Sequence, residues 1–391
     1  MQTKQQIKQT SNHNDALLHQ KFRALLYLLL LTMYFIQPAA AYADGGAPNL
    51  AYVASTDTNI SIIDVIQQKV TRTIKTAGNT HALLLSIDGQ YLYISQPQQH
   101  NVSILAANTG NPICTATLPG QPAFLALDTS TNSLYAAGNS SATITALDAT
   151  NCKVKRIFHT RAPINGIALA FADTNLTERQ DTQLWATTTH GITIFHTTTG
   201  QQVTNIPMSD EPQKISIPPG KTAYIATQHG TITAIDTSSY QSMIIIKGGA
   251  YGPMDFDELT GELYVPDHLQ KQLLILSPVT IGFAHTHEPA RTIHFSTAPT
   301  SVAITSDGQL GFVTLQNGQV SMLDLPGKQN ITTIPVKGAP DFVITGVYPP
   351  LAPTNLQEVT FSGILVSLLA YGLIAVMLIG PAIYFLYKRQ K

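Results

Sequence analysis

An aromatic residue that returns every 40 to 50 positions constrains this chain more than any other feature. Residues 50–75, LAYVASTDTNISIIDVIQQKVTRTIK, hold three short apolar-alternating runs, at 50–54, 60–64 and 70–74, separated by Asp, Asn, Ser, Thr and Gln. Alternation of period two between turn-forming residues reads as consecutive antiparallel strands, not helix. The aromatic of the first run, Tyr52, recurs as Tyr93, Tyr135, Trp185, Tyr224, Tyr264 and Phe312, at steps of 41, 42, 50, 39, 40 and 48 residues. Four short strands in a unit of that length make a β-propeller blade. The expectation is an all-β, seven-bladed β-propeller with four-stranded blades.

Closure of the ring can be read by counting. Naming the strands of a blade a to d from the axis outward, the repeating aromatic lies on strand b. Six candidate a strands lie between repeats, but only ADGGAPN separates the first b strand from the residues before Asp44. A seventh candidate, PDFVITG at 340–346, follows the last d strand. If it fills the vacant inner place of blade 1, three N-terminal strands and one C-terminal strand close the ring and leave no open edge for aggregation.

The ends of the chain predict a membrane topology. Residues 1–23 are polar, with Lys4, Lys8, Lys21 and Arg23, and residues 24–36 are a 13-residue apolar run followed by QPAAAYA. This reads as a signal peptide over 1–43, cut before Asp44, or as an uncleaved signal-anchor. At the other end no charge interrupts 359–387, and Lys388, Arg389 and Lys391 follow. Twenty or so apolar residues suffice to cross a bilayer, and flanking cations stay on the cytoplasmic side. We therefore expect a propeller ectodomain over 44–347, a Pro-rich stalk over 348–360, a transmembrane helix over 361–387 and a basic cytoplasmic tail over 388–391. The propeller then lies outside the cell membrane, anchored by a single pass.

Only 12% of the 391 residues are charged, about half of what is usual. Residues 44–360 hold 15 basic and 22 acidic side chains, the wrong balance for a phosphate-tracking surface, so nucleic acid is not an expected partner. There are two cysteines, Cys114 and Cys152. They fall near the last strands of blades 2 and 3, where a disulfide in an oxidising compartment and a pair of buried thiols are both open. No CxxCH, GxSxG, HExxH, P-loop or dinucleotide fingerprint occurs in a supporting context.

Several stretches resemble the YVTN-type, YncE-like family of seven-bladed propellers: Tyr52-Val53, Ile63-Asp64, Ile235-Asp236 and SDGQLGFVT in blade 7. The resemblance implies the fold over about 50–347. It says little of activity, since relatives range from surface-layer antigens to nucleic-acid binders and cofactor-bearing oxidoreductases. The sequence departs from the pattern at Ala106, His196 and Ser277, where the repeat has Asp, and in the blade 6 insertion PVTIGFAHTHEPA.

Ligands of propellers usually bind where the b–c and d–a loops meet the central channel. His100, His190, His229 and His268 fall on b–c turns, and His81 and His159 on d–a connections. Arg161, Asp210, Glu211, Gln213 and Lys214 join them on that face. An imidazole cluster there could hold a transition metal or sense pH. The alternative is turn chemistry: His190-Gly191 and His229-Gly230 stand where blade 7 has Asn317-Gly318, at a position that often takes a positive φ. His285-x-His287-Glu288 offers a second, sparser metal reading on the opposite face. Asp64, Asp148, Asp236 and Asp324 cap c–d turns, while Asp255, Asp257 and Glu258 read as solvated loop charges. No catalytic residue, metal or cofactor is assigned. The first functional reading is a binding module for a protein or another cell-surface ligand. The alternatives are a channel-mouth enzyme, either a lactonase-like hydrolase or a quinone- or metal-dependent oxidoreductase, and a structural surface-layer component.

Overall fold

A computed structural model describes residues 49–171, 181–283 and 287–346. The signal peptide, stalk, transmembrane helix and tail expected from the sequence lie outside these residues. Among the described residues no helix is long and apolar enough to cross a membrane.

The strands form seven four-stranded antiparallel sheets. Blade 1 runs from the axis outward as Pro340–Gly346, Leu50–Ser55, Asn59–Asp64 and Lys69–Lys75. The closing strand pairs with Leu50–Ser55 in antiparallel register, Val343 opposite Val53 and Gly346 opposite Leu50. The 3+1 closure expected from the strand count is therefore what the chain adopts. Blades 2 to 7 follow in order over 83–117, 124–159, 164–207, 212–247, 255–294 and 299–335.

The seven recurring aromatics explain the period. Each sits on the second strand of its blade, and all seven are essentially buried. Buried residues gather into seven clusters, one between each pair of neighbouring blades. Phe312 packs with Ala51, Val53 and Val343 across the blade 7–blade 1 seam, and Tyr135 packs with Phe158 and Leu184 across the seam of blades 3 and 4. The hydrophobic core is thus a ring of seven interfaces. A blade cannot bury both faces alone, so each repeat depends on its neighbours.

Cys114 and Cys152 form a disulfide, with Cα atoms 5.9 Å apart. It ties the outer strand Pro112–Thr117 of blade 2 to the turn after the third strand of blade 3, stapling one seam from outside. Asp64, Asp148 and Asp236 accept backbone amides two or three residues on, as expected of turn caps.

Candidate functional site

The channel mouth is shaped by β-bulges in the inner strands. In four blades one extra residue interrupts the ladder at the mouth end. These are Asp341 between Pro340 and Phe342, Asn165 between Ile164 and Gly166, Gln213 between Pro212 and Lys214, and Thr300 between Pro299 and Ser301. A bulge sets two residues against one and re-aims a side chain. Proline precedes three of them, and an inner edge tolerates it because its free side needs no ladder donor. All four bulged residues are polar, and three reach the next blade. Asn165 Nδ2 donates to Glu211 Oε1 at 2.9 Å and to the Pro212 carbonyl at 3.1 Å. Thr300 Oγ1 donates to the Pro340 carbonyl at 3.0 Å. The Asp341 carboxylate meets His81 Nδ1 at 2.6 Å.

Around the last contact, four blades bring ionisable groups together: Asp341 from blade 1, His81 at the entry to blade 2, Lys214 from blade 5 and His268 from blade 6. The hydrogen bond from His81 holds the Asp341 carboxyl below its ordinary value against the cost of burial, helped by the charges of His81, Lys214 and His268. Burial pulls the Lys214 amine below the usual lysine value, and Asp341 partly restores it. Its Nζ stands 5.4 Å over the Phe124 ring, within cation–π range. Burial also lowers His268, opposed by the Thr300 backbone.

Below this rim the channel encloses a cavity of about 160 Å³, walled by the inner strands of six blades. Lys214 and His81 supply its ionisable lining, while Phe124, Ile215, Met254 and Phe342 supply apolar wall. A second hollow of about 190 Å³ lies between blades 1 and 2; it shares His81 with the first and is also lined by Asp341. An apolar pocket with a few convergent polar groups is the usual form of a ligand site.

The other expected residues are placed differently. His100, Arg161, His190 and His229 are exposed on loops, and His159 is exposed at the end of the outer strand of blade 3, two residues before Arg161. His100 Nδ1 contacts the Gly120 carbonyl, and His190 Nδ1 meets Thr189 Oγ1 at 2.7 Å. His229 Nδ1 lies 2.6 Å from Asp210 Oδ1. Burial pushes the Asp210 carboxyl up, but hydrogen bonds from Thr227 and His229 outweigh it and hold it low. Glu211 is engaged by Asn165 and Gln213. Among the described residues no group of three or more His, Cys, Asp or Glu is placed to hold a metal ion. The blade 6 insertion falls partly outside the described residues at His285, and His287 Nδ1 lies 3.3 Å from the Ile245 carbonyl.

Two expectations are corrected. At His190-Gly191 and His229-Gly230 the glycine carries the positive φ, 132° and 77°, and the histidine does not; of the loop histidines His100 takes it, at 57°. Glycine has no Cβ to clash, so it absorbs the strained position. Neither Asp255 nor Asp257 is a solvated loop charge: Asp257 is buried and accepts the Leu259 amide at 2.9 Å, while Asp255 lies on the inner strand Asp255–Phe256 and its Oδ2 accepts the Ile304 amide at 2.7 Å. Burial pushes its carboxyl up to about 7, although that amide pulls it down. The sequence reading also missed Asp341 as a mouth residue, having used PDFVITG only to close the ring. The signal was there: Pro-Asp-Phe opens an inner strand as Pro-Gln-Lys does at 212–214.

No family model matches the chain, and neither does any curated protein. Solved structures do. Apo AztD from Citrobacter koseri is 12% identical, with 77% of this chain and 100% of that one covered and a TM-score of 0.58. The β-propeller domain of Cps50 (Swd1) from Myceliophteria thermophila is 15% identical, with 72% and 93% covered and a TM-score of 0.59. Dihydro-heme d1 dehydrogenase NirN in complex with DHE is 14% identical, with 76% and 75% covered and a TM-score of 0.56. At such identities what is shared is the seven-bladed propeller fold. It serves an enzyme in one neighbour and is a domain of another protein in the next, so function has to be argued from the site.

Proposed function

We propose that this chain is a membrane-anchored, extracytoplasmic propeller of the YVTN type that works as a binding module, engaging a protein or another cell-surface ligand at its channel mouth. The observation that carries the reading is the convergence of Asp341, His81, Lys214 and His268 from four blades on one rim. Anchoring rests on the sequence ends alone, and the direction of the mouth on one feature of the register. Gly346, where the closing strand ends, pairs with Leu50 at the end of the blade away from the mouth. The apolar stretch begins about 15 residues later. An anchor leaving from that side points the mouth away from the membrane.

The enzyme reading separates from this one by a ligand scan on the full chain. Ligands that bind only the native state raise the thermal midpoint by mass action. A shift with a divalent metal or a quinone that is lost in His81→Ala/His268→Ala would overturn the binding-module reading in favour of an enzyme. The binding reading expects no such metal or quinone shift. A membrane-impermeant thiol reagent should label a cysteine placed at Gln316 on intact cells; labelling only after lysis would refute the outward orientation.

A further inference from the structure

We infer that the axial cavity is a binding site for a short amphipathic carboxylate, its head on Lys214 and its hydrocarbon body along Phe124, Ile215, Met254 and Phe342. This rests on the mouth being the binding face and adds what enters it. Lys214 is the starting point. The surface lysines Lys155 and Lys328 each meet a carboxylate, at 3.4 Å from Asp148 and 2.5 Å from Glu262. Lys214 is partly buried in the channel wall, and among the described residues no carboxylate stands within 4 Å of its Nζ. Its compensating charge, Asp341, is committed to His81 at 2.6 Å. What Lys214 has instead is the face of Phe124 at 5.4 Å. A cation held out of bulk water without a paired anion is costly to bury. A carboxylate entering the channel would supply that anion, and charge-assisted N–H···O bonds are among the stronger ones.

The rest of the cavity fixes the ligand's body. Lys214 is the one cationic side chain among the lysines and arginines of that lining, and its single charge suits a monocarboxylate. The walls below are hydrocarbon and aromatic ring. At about 160 Å³ the cavity matches the roughly 150 Å³ that accommodates benzene in an engineered apolar cavity. That sets the body at about six carbons. A bulkier ligand can place its carboxylate-bearing end here and leave the remainder on the rim.

Hexanoate is the probe. Hexanoate should raise the thermal midpoint of the full chain in a saturable way. Acetate, lacking the tail, should act only at concentrations at least tenfold higher, and hexanol and hexylamine should not act at comparable concentrations. Lys214→Met, which keeps the length and removes the charge, should abolish the hexanoate response. A second readout needs no variant. Because a bound carboxylate favours the ammonium form, hexanoate should slow modification of the Lys214 amine by trinitrobenzenesulfonate at pH 8 by at least threefold. Modification of Lys155 and Lys328 should not change. An unchanged Lys214 rate together with an unchanged midpoint overturns the inference. So does an equal response in Lys214→Met, which would show non-specific uptake. If partners still crosslink at the mouth while hexanoate does nothing, the carboxylate site falls and the mouth reading stands.

Discussion

Asp255 offers the sharpest test of how the inner ring is built. Its carboxyl accepts the Ile304 amide from the neighbouring blade, and burial raises its pKa from an ordinary 3.8 to about 7. A raised carboxyl pKa means that the folded state prefers the protonated form. The residue costs nothing below the unfolded value, the cost grows as pH rises from about 4 to about 7, and it is constant above that. At about 1.36 kcal/mol per pH unit, the cost is about 1.6 kcal/mol at pH 5 and about 4 kcal/mol at pH 8. Asp255 keeps some accessible surface, so these figures are upper bounds. Asp255→Asn removes the charge and leaves an oxygen for the Ile304 amide, so its other effects do not vary with pH. Urea unfolding of both proteins at pH 5 and pH 8 then isolates the titration. The variant's advantage over wild type should grow by about 1–2.5 kcal/mol between the two. An advantage that is the same at both pH values refutes the buried, upshifted carboxyl.

The remaining tests address the ring and its rim. Reducing Cys114–Cys152, whose ends are 38 positions apart in sequence, should lower stability by about 4 kcal/mol in the chain-entropy picture, read as a drop in urea midpoint against the oxidised protein that Cys114→Ser/Cys152→Ser should reproduce. Trp185→Ala, at a fully buried site in the seam of blades 4 and 5, should cost about 3–5 kcal/mol; a loss below 1 kcal/mol would contradict the interface-ring core. Burial lowers the His268 pKa, so wild type should lose stability as pH falls below about 6.5 towards the lowered folded value. His268→Gln should lose less over the same range, and an identical loss would show that His268 does not titrate there.

How much could be read in advance depended on the kind of pattern. The fold was legible because one aromatic per unit and period-two alternation repeat seven times, so Tyr52 and Phe312 could be aligned across 260 residues. Even the closing strand could be counted. The mouth was legible only in part: His81, Lys214 and His268 could be placed on that face, but the bulges that shape it could not. Asp341, Asn165, Gln213 and Thr300 are single insertions into a period-two strand, and one extra residue reverses which side chains face the channel. The proline before three of the four is the one trace such a shift leaves, and a repeat whose turns vary in length hides the rest. The histidines misled because the turn type they occupy was read as a property of the first residue, while Gly191 and Gly230 carry the strained φ. Asp255 looked like a loop charge because only two residues of its strand are paired, too short a run to show periodicity.

The most direct test of binding at the channel mouth is site-specific photo-crosslinking on intact cells. A photoreactive residue would replace His229 or Arg161 on the rim, and Ile66 or Ile87 on the turns of the opposite face, in the full chain. The mouth reading predicts discrete crosslinked partners from the rim positions, reduced at least several-fold when His81→Ala/Asp341→Asn is added, and none of those partners from the opposite face. The same partners captured equally from both faces, or from the opposite face alone, would contradict it.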